Sequence, residues 1–144
     1  MTGLITKIVD SQKPHLKVLV QLAKVDGTAD DTELELIRQI GSSNNVSSEE
    51  IDEAIAEAEA SDPIPSLDHL SVDDRFELLY NLVLVMKADG IIDTEEVKFC
   101  KAMVRKLGFQ EDVLQDLIEH SPDEDPDGTH QQEINSRARK YFNG

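Results

Sequence analysis

The chain has 144 residues, a length that suits one domain with one hydrophobic core. Hydrophobic residues make up 39% of it and aromatic residues only 4%, so the core must be built from aliphatic side chains, which favours packed helices over a β-sandwich. The formal net charge of -16 argues against nucleic acid, because phosphates would be repelled, and leaves cations and basic protein surfaces as partners.

The sequence also argues against export and membrane insertion. Residues 1–13 have neither a basic start nor a long apolar stretch, so they do not form a signal peptide. The longest strongly apolar stretch, Leu82 to Met86, is far shorter than the roughly 18 residues that a membrane span needs. The single cysteine, Cys100, excludes an internal disulfide and fits a reducing compartment. We therefore expect a cytoplasmic protein that does not insert into membranes.

Two helices are predicted at the start of the chain. The first begins at Pro14 and stops at Asp26-Gly27, and its apolar stripe consists of Leu16, Leu19, Val20 and Ala23. The second begins at Asp30 or one residue later, carries acidic residues in its first turn and ends near Gly41. The Asp-Gly pair between them marks a sharp turn.

A third helix and a connector complete the first half. Ser47, with Glu50 three residues further on, predicts a capping box at the start of this helix, which carries Ile51 and Ile55 on its apolar side. Residues 61–70 contain two prolines and no helical periodicity. We interpret them as the linker between two halves.

The second half begins with the longest predicted helix. Ser71 caps it, and its second half is apolar on all sides, which is typical of a helix at the centre of a bundle. It stops at Asp89-Gly90, and another helix runs from Asp93 or the next residue to Gly108.

The C-terminal region is predicted to hold two more helices. A short helix carries apolar residues between 113 and 118, an acidic loop covers residues 122–128, and a terminal helix spans about residues 129–142. No segment competes seriously as a strand. The predicted fold class is therefore all-α.

The two halves repeat each other at an offset of 63 residues, which places Asp26 on Asp89. Loop positions and buried positions both match; the pairs are Lys24 and Lys87, Gly27 and Gly90, Asp30 and Asp93, Glu33 and Glu96, Leu34 and Val97, Ile40 and Met103, Val46 and Phe109, and Ile51 and Leu114. Duplication of a helix-loop-helix unit explains this better than coincidence. One domain, residues 1–144, then consists of repeat one (about 14–60), the linker (61–70), repeat two (about 71–120) and the C-terminal helix.

Four of the repeated acidic residues suit the start of a helix. Asp30 and Asp93 can accept hydrogen bonds from the free amides of the helix that follows. Glu33 and Glu96 lie in its first turn, where the helix dipole favours a negative charge by roughly 0.3 to 1 kcal/mol. Capping alone explains these four residues.

Asp26 and Asp89 are harder to explain by capping. Each lies at the C-terminal end of a helix, where the dipole disfavours an anion. A cation, a lysine or free exposure to solvent would compensate the charge.

The segments Lys24-Val25-Asp26-Gly27 to Glu33 and Lys87-Ala88-Asp89-Gly90 to Glu96 lie on paired helices of a duplicated chain. In this the chain resembles the tellurite-resistance TerB-like family, over about residues 14 to 120. The resemblance implies a compact bundle of about seven helices whose two acidic loops come close together. Related domains occur in bacterial stress and tellurite-resistance systems and in membrane-anchored DnaJ-type co-chaperones, where they act as interaction modules.

The resemblance also implies a site for a divalent cation or a partner, formed by Asp26, Asp30, Glu33, Asp89, Asp93 and Glu96. Clustered carboxylates repel one another unless something neutralises them, so our hypothesis is that both loops share one cation (calcium, magnesium or manganese) or one basic partner. The alternative is two independent capped loops.

Calcium motifs give one weaker candidate. Neither repeated loop is a standard EF-hand, because the first two ligand positions are held by Leu22 and Lys24 in the first loop and by Val85 and Lys87 in the second. Residues 123–128 have the Asp-x-Asp-x-Asp-Gly opening, with Asp123, Asp125 and Asp127 as candidate ligands. The continuation departs from the pattern, since Ile134 replaces the bidentate ligand, and a solvated acidic loop is the alternative.

The sequence contains no motif of catalysis, and its four histidines are scattered without metal-ligand partners at helical spacing. We therefore expect a non-enzymatic protein with a protein partner. Two functions stay open: a stress-response or tellurite-resistance-related module that binds a cation or a basic partner through the paired loops, or an interaction adaptor that uses an apolar groove while the loops are only structural.

Overall fold

The computed structural model describes residues 15–25, 30–88, 90, 92–122 and 129–143, and these residues form seven α-helices and no strand. The helices are α1 (residues 15–24), α2 (Asp31–Ser43), α3 (Ser48–Glu57), α4 (Val72–Lys87), α5 (Thr94–Lys106), α6 (Asp112–His120) and α7 (Gln131–Arg139). The prediction of an all-α fold with about seven helices is confirmed. No helix in the described part of the chain has the length and apolar character of a membrane span.

Helix α4 forms the centre of the fold. Every residue from Leu78 to Met86 is buried, so this part of the helix is enclosed on all sides, as its apolar sequence predicts. The Ser71 hydroxyl oxygen accepts a hydrogen bond from the Asp74 amide at 3.1 Å and caps the helix. Helices α2, α5, α6 and α7 all pack against α4. One continuous, mainly aliphatic core therefore includes residues of both repeats.

Helices α2 and α5 have the same boundaries at the offset of 63 residues. Each is followed by a residue in the left-handed region, Asn45 with φ of 64° and Gly108 with φ of 92°. The amide of the next residue then bonds back into the helix, from Val46 to the Gly41 carbonyl at 3.0 Å in the first repeat. The bond from Phe109 is equivalent and measures 2.9 Å. The repeats thus share backbone geometry as well as residue pattern.

Helix α2 ends at Ser43, close to the end near Gly41 that the sequence predicts, but Gly41 itself does not form the turn. This glycine lies inside the helix. A Cβ atom at this position would stand 2.8 Å from Ile51 Cδ1 and 3.4 Å from Leu16 Cδ2. The glycine is therefore required for close packing, and Asn45 turns the chain instead.

The terminal helix is shorter than predicted, since α7 ends at Arg139. Beyond it the backbone pairs with the turn between α5 and α6. The Gln110 amide donates to the Tyr141 carbonyl at 2.9 Å, and the Asn143 amide donates to the Gly108 carbonyl at 2.7 Å. These tertiary hydrogen bonds replace the helical bonds that a longer α7 would form.

Candidate functional site

The acidic residues at the starts of α2 and α5 form two equivalent capping boxes. Asp30 Oδ1 accepts a hydrogen bond at 2.8 Å from the amide two residues further on, and Glu33 Oε1 accepts one from the Asp30 amide at 3.2 Å. The corresponding distances for Asp93 and Glu96 are 2.7 and 3.1 Å. The capping role that the sequence predicts for these four residues is confirmed.

Two of these carboxylates lie in the protein interior. Glu33 and Glu96 each expose only 2% of their surface. Each carboxylate stands beside the N terminus of a helix, where free amides and the helix dipole favour a negative charge. Both side chains therefore bind the backbone of their own repeat.

The remaining predicted ligands, Asp26 and Asp89, lie outside the described residues, as do Asp123, Asp125 and Asp127 of the weaker loop. Within the described ranges, no group of three or more His, Cys, Asp or Glu side chains is arranged to hold a metal ion. A cation site shared by the two loops stays a prediction.

Lys24 and Lys87 have a role that the sequence analysis missed. Lys24 Nζ donates to two carbonyl oxygens at the end of α3, at 2.6 and 2.7 Å, and Lys87 Nζ donates to two at the end of α6, at 3.1 and 2.8 Å. The acceptors are Ile55 and Ala58 in the first repeat and Ile118 and Ser121 in the second. A cation at the negative end of a helix is stabilising, so each lysine joins two helices of its repeat.

A surface groove lies between α1 and α3. Its apolar lining consists of Leu16, Val46, Ala54 and Ala58, and its charged lining consists of Lys17, Glu50, Glu53, Glu57 and Asp62. It encloses about 420 Å³. We call it the acidic groove.

The charges of the acidic groove are concentrated on one face of α3. Glu50, Glu53 and Glu57 are separated by three and four residues, which places them on the same side of the helix. Among the described lining residues, Lys17 is the only lysine, and its Nζ lies 4.0 Å from Asp62 Oδ2. Glu53 and Glu57 are exposed. Neighbouring carboxylates repel one another, so a basic group that enters the groove is stabilised.

A second surface groove lies between α5 and α6 and encloses about 470 Å³. Its lining consists of Ile92, Val97, Lys101, Glu111, Asp112, Leu114, Gln115 and Ile118. Its charges are of both signs, and Glu111 already accepts a hydrogen bond at 2.7 Å from Arg105. This groove therefore selects a charged partner less strongly than the acidic groove does.

The acidic groove was not predicted from the sequence, in which α3 shows a cap and an apolar stripe. The available signal was the helical spacing of Glu50, Glu53 and Glu57 beside Ala54 and Ala58. In so acidic a chain, a solvated helix face has the same pattern. Only the packing of α3 beside α1 shows that these residues line a groove.

Comparisons of the chain with models of protein families, with curated proteins and with solved structures find no match. The class that the fold defines is an all-α bundle. The resemblance to the TerB-like family stays a prediction.

Proposed function

We propose that the protein is a non-enzymatic module that binds a basic segment of another protein in the acidic groove. The observation that carries this proposal is the groove lining, where the described residues place four carboxylates and one lysine around four apolar side chains. Leu16, Val46 and Ala58 are buried and Ala54 is half-buried, so the floor of the groove offers little apolar surface to a partner. The carboxylates therefore supply most of the attraction, and charges of one sign select a partner of the opposite sign.

The charge of the whole chain supports the same partner class. A formal net charge of -16 attracts a basic segment over distances up to a Debye length of roughly 8 Å at physiological salt. Attraction of this kind accelerates encounter, while the carboxylates in the groove act at contact. We therefore expect binding to weaken as the salt concentration rises.

The acidic groove is a better candidate for the binding surface than the loops, because the described carboxylates of the loops already have hydrogen-bond donors. Asp30, Glu33, Asp93 and Glu96 already accept hydrogen bonds from backbone amides. A ligand that took these carboxylates would compete with the caps of α2 and α5. Cation binding by the paired loops, and with it a stress-response or tellurite-related role, stays a prediction from the sequence.

Fluorescence anisotropy tests the proposal, with a labelled amphipathic peptide of lysine and leucine at helical spacing as the probe. We expect the wild-type chain to bind this probe with a micromolar Kd. The double variant Glu53→Gln and Glu57→Gln should weaken binding about fivefold or more, because an exposed charge contact contributes roughly 0.2–1 kcal/mol.

The matched control is the double variant Glu35→Gln and Glu119→Gln. It removes the same charge from two exposed positions that do not line the acidic groove. We expect its Kd to stay within about twofold of the wild-type value. Equal weakening by both variants, or no binding by the wild-type chain, contradicts the proposal.

A further inference from the structure

The acidic groove has a counterpart in the second repeat, and there a helix already covers it. At the offset of 63 residues, the groove face of α1 and α3 corresponds to the face of α4 and α6 against which α7 packs. Val46 corresponds to Phe109, and Glu53 corresponds to Asp116. The second repeat therefore shows how a helix is held on this face.

Asp116 is the polar anchor of α7 and of the turn that follows it. Its carboxylate accepts a hydrogen bond from the Tyr141 hydroxyl at 2.7 Å and another from Arg137 at 3.0 Å. Lys140 Nζ lies 3.7 Å away. The Tyr141 hydrogen bond, aided by both basic side chains, holds the pKa of Asp116 below its usual range. A carboxylate on this face is thus satisfied by basic and aromatic groups of a helical segment.

Apolar contacts also hold α7 and the residues that follow it against the core. Ile134 and Ala138, which are four residues apart, are both buried. Beyond the helix, Phe142 packs on Phe109 and on Phe76, with ring centroids 5.0 and 5.4 Å apart. The segment therefore presents an apolar side to the core and basic groups to Asp116.

In the first repeat, no helix of the described residues packs over the same face. Glu53 is exposed, whereas the side chain of its counterpart Asp116 is only 10% exposed. Ala54 is half-buried, whereas its counterpart Leu117 is fully buried. The smaller Ala54 side chain leaves space that leucine fills in the second repeat.

We propose that the segment bound in the acidic groove is an amphipathic α-helix of a partner protein with the pattern of α7. In this pattern an apolar residue is followed by a basic residue at position +3, a second apolar residue at +4 and a second basic residue at +6. In the chain itself these are Ile134, Arg137, Ala138 and Lys140. The inference rests on the proposed function and names the conformation and spacing of the partner segment.

Charge complementarity makes this partner helix more basic than α7 itself. At the repeat offset, Glu50 and Glu57 stand where the second repeat has Val113 and His120. The acidic groove therefore presents three carboxylates on α3 where the face of α6 presents one, and additional Lys or Arg residues on the partner helix satisfy them.

An NMR titration of the isotope-labelled full chain tests the inference. One probe is a peptide with the sequence of residues 129–143, blocked at both ends, and the other is the same peptide with Ala138→Pro. We expect the first peptide to shift the amide signals of Glu53, Ala54 and Glu57. The proline peptide should bind at least tenfold more weakly, because proline removes a backbone donor and clashes inside a helix while the charge is unchanged.

The outcomes separate this inference from the proposed function. Equal binding of both peptides means that the groove takes an extended segment, which overturns the helix but leaves the proposed function standing. Shifts confined to residues around Asp116 mean that the peptide displaces α7, which also overturns the inference. If only the lysine-leucine probe binds, the α7 pattern is wrong. If no probe binds, the proposed function fails too.

Two other occupants of the groove would overturn the inference. Sedimentation of the chain over a range of concentrations detects self-association. If the double variant Glu53→Gln with Glu57→Gln abolishes that self-association, the occupant of the groove is a second copy of the chain. Nuclear Overhauser contacts in the free chain between Ala54 and residues 1–14 identify the chain's own N-terminal segment as the occupant. We expect a monomer that shows no such contacts.

Discussion

At the scale of single residues, the buried carboxylates of Glu33 and Glu96 act on the backbone of their own helices. Glu33 Oε1 accepts a hydrogen bond from the Asp30 amide at 3.2 Å. Glu33→Ala removes this acceptor inside the protein and leaves a cavity, so we expect the free energy of unfolding to fall by about 1–2 kcal/mol. Urea denaturation followed by circular dichroism measures the loss, and Glu96→Ala should give a similar value.

The control for this prediction is Glu35→Ala, which removes an exposed glutamate from the middle of the same helix. We expect it to change the free energy of unfolding by less than about 0.5 kcal/mol. If Glu33→Ala and Glu35→Ala unfold at the same urea concentration, the capping role assigned to Glu33 is wrong.

The role of these residues could be predicted from sequence, but their burial could not. The three-residue spacing from Asp30 to Glu33 is a local signal, and capping depends only on the first turn of α2. Burial depends on the segments that pack over that turn. Lys24 illustrates the same limit, because its acceptors at the end of α3 lie 31 and 34 residues away along the chain.

At the scale of elements, a polar contact between His15 of α1 and Asn81 of α4 lies inside the core. His15 Nε2 accepts a hydrogen bond from Asn81 Nδ2 at 3.0 Å, and both side chains are buried. Burial lowers the pKa of His15 from 6.5 to about 4, and the negative charge of Asp74 offsets part of this effect. His15 is therefore neutral in the folded protein at neutral pH.

This contact predicts a dependence of stability on pH. Between pH 6.5 and about 4, the unfolded chain takes up a proton on His15 that the folded chain does not, so the free energy of unfolding falls as the pH falls. Across the whole window the loss reaches about 3 kcal/mol. Urea denaturation at a series of pH values from 7 to 4 measures it.

The control exchanges the polar pair for the residues at the equivalent positions of the opposite repeat. In the double variant His15→Leu with Asn81→Val, each residue becomes the type that the other repeat has at the equivalent position. These equivalents are Leu78 for His15 and Val18 for Asn81, and both are buried in the core. We expect this double variant to fold and to lose most of the slope between pH 6.5 and 4. A slope equal to that of the wild-type chain rules out His15 as its source.

The helices could be predicted from periodicity, whereas their ends were fixed by tertiary contacts. The apolar surface of α4 on all sides predicted a central helix, because only a core can bury it. Helix α2 continues to Ser43, just beyond the predicted end near Gly41, because Gly41 is used for close packing against Ile51. The end of α7 was predicted wrongly because Tyr141 and Asn143 pair with the turn after α5.

At the scale of the whole molecule, the repeat offset relates most of the two halves, and α7 breaks that symmetry. It covers a face in the second repeat that the first repeat presents as the acidic groove. The fold could be predicted from the sequence because the repeated segments carry local patterns. The groove could not, since it depends on how α3 packs beside α1, which follows from tertiary packing.

The central claim is that the acidic groove is the surface that binds a basic partner. The most direct measurement compares the affinities of two peptides of opposite charge for the wild-type chain and for the double variant Glu53→Lys with Glu57→Lys. The probes are the lysine-leucine peptide and a peptide in which every lysine is replaced by glutamate. The variant keeps a strongly negative net charge, so overall charge alone cannot reverse its preference.

We expect the wild-type chain to bind only the lysine peptide. The variant should lose most of that affinity and bind the glutamate peptide at least tenfold more tightly than the wild-type chain does. If both proteins show the same preference between the two peptides, partner binding does not take place in the acidic groove.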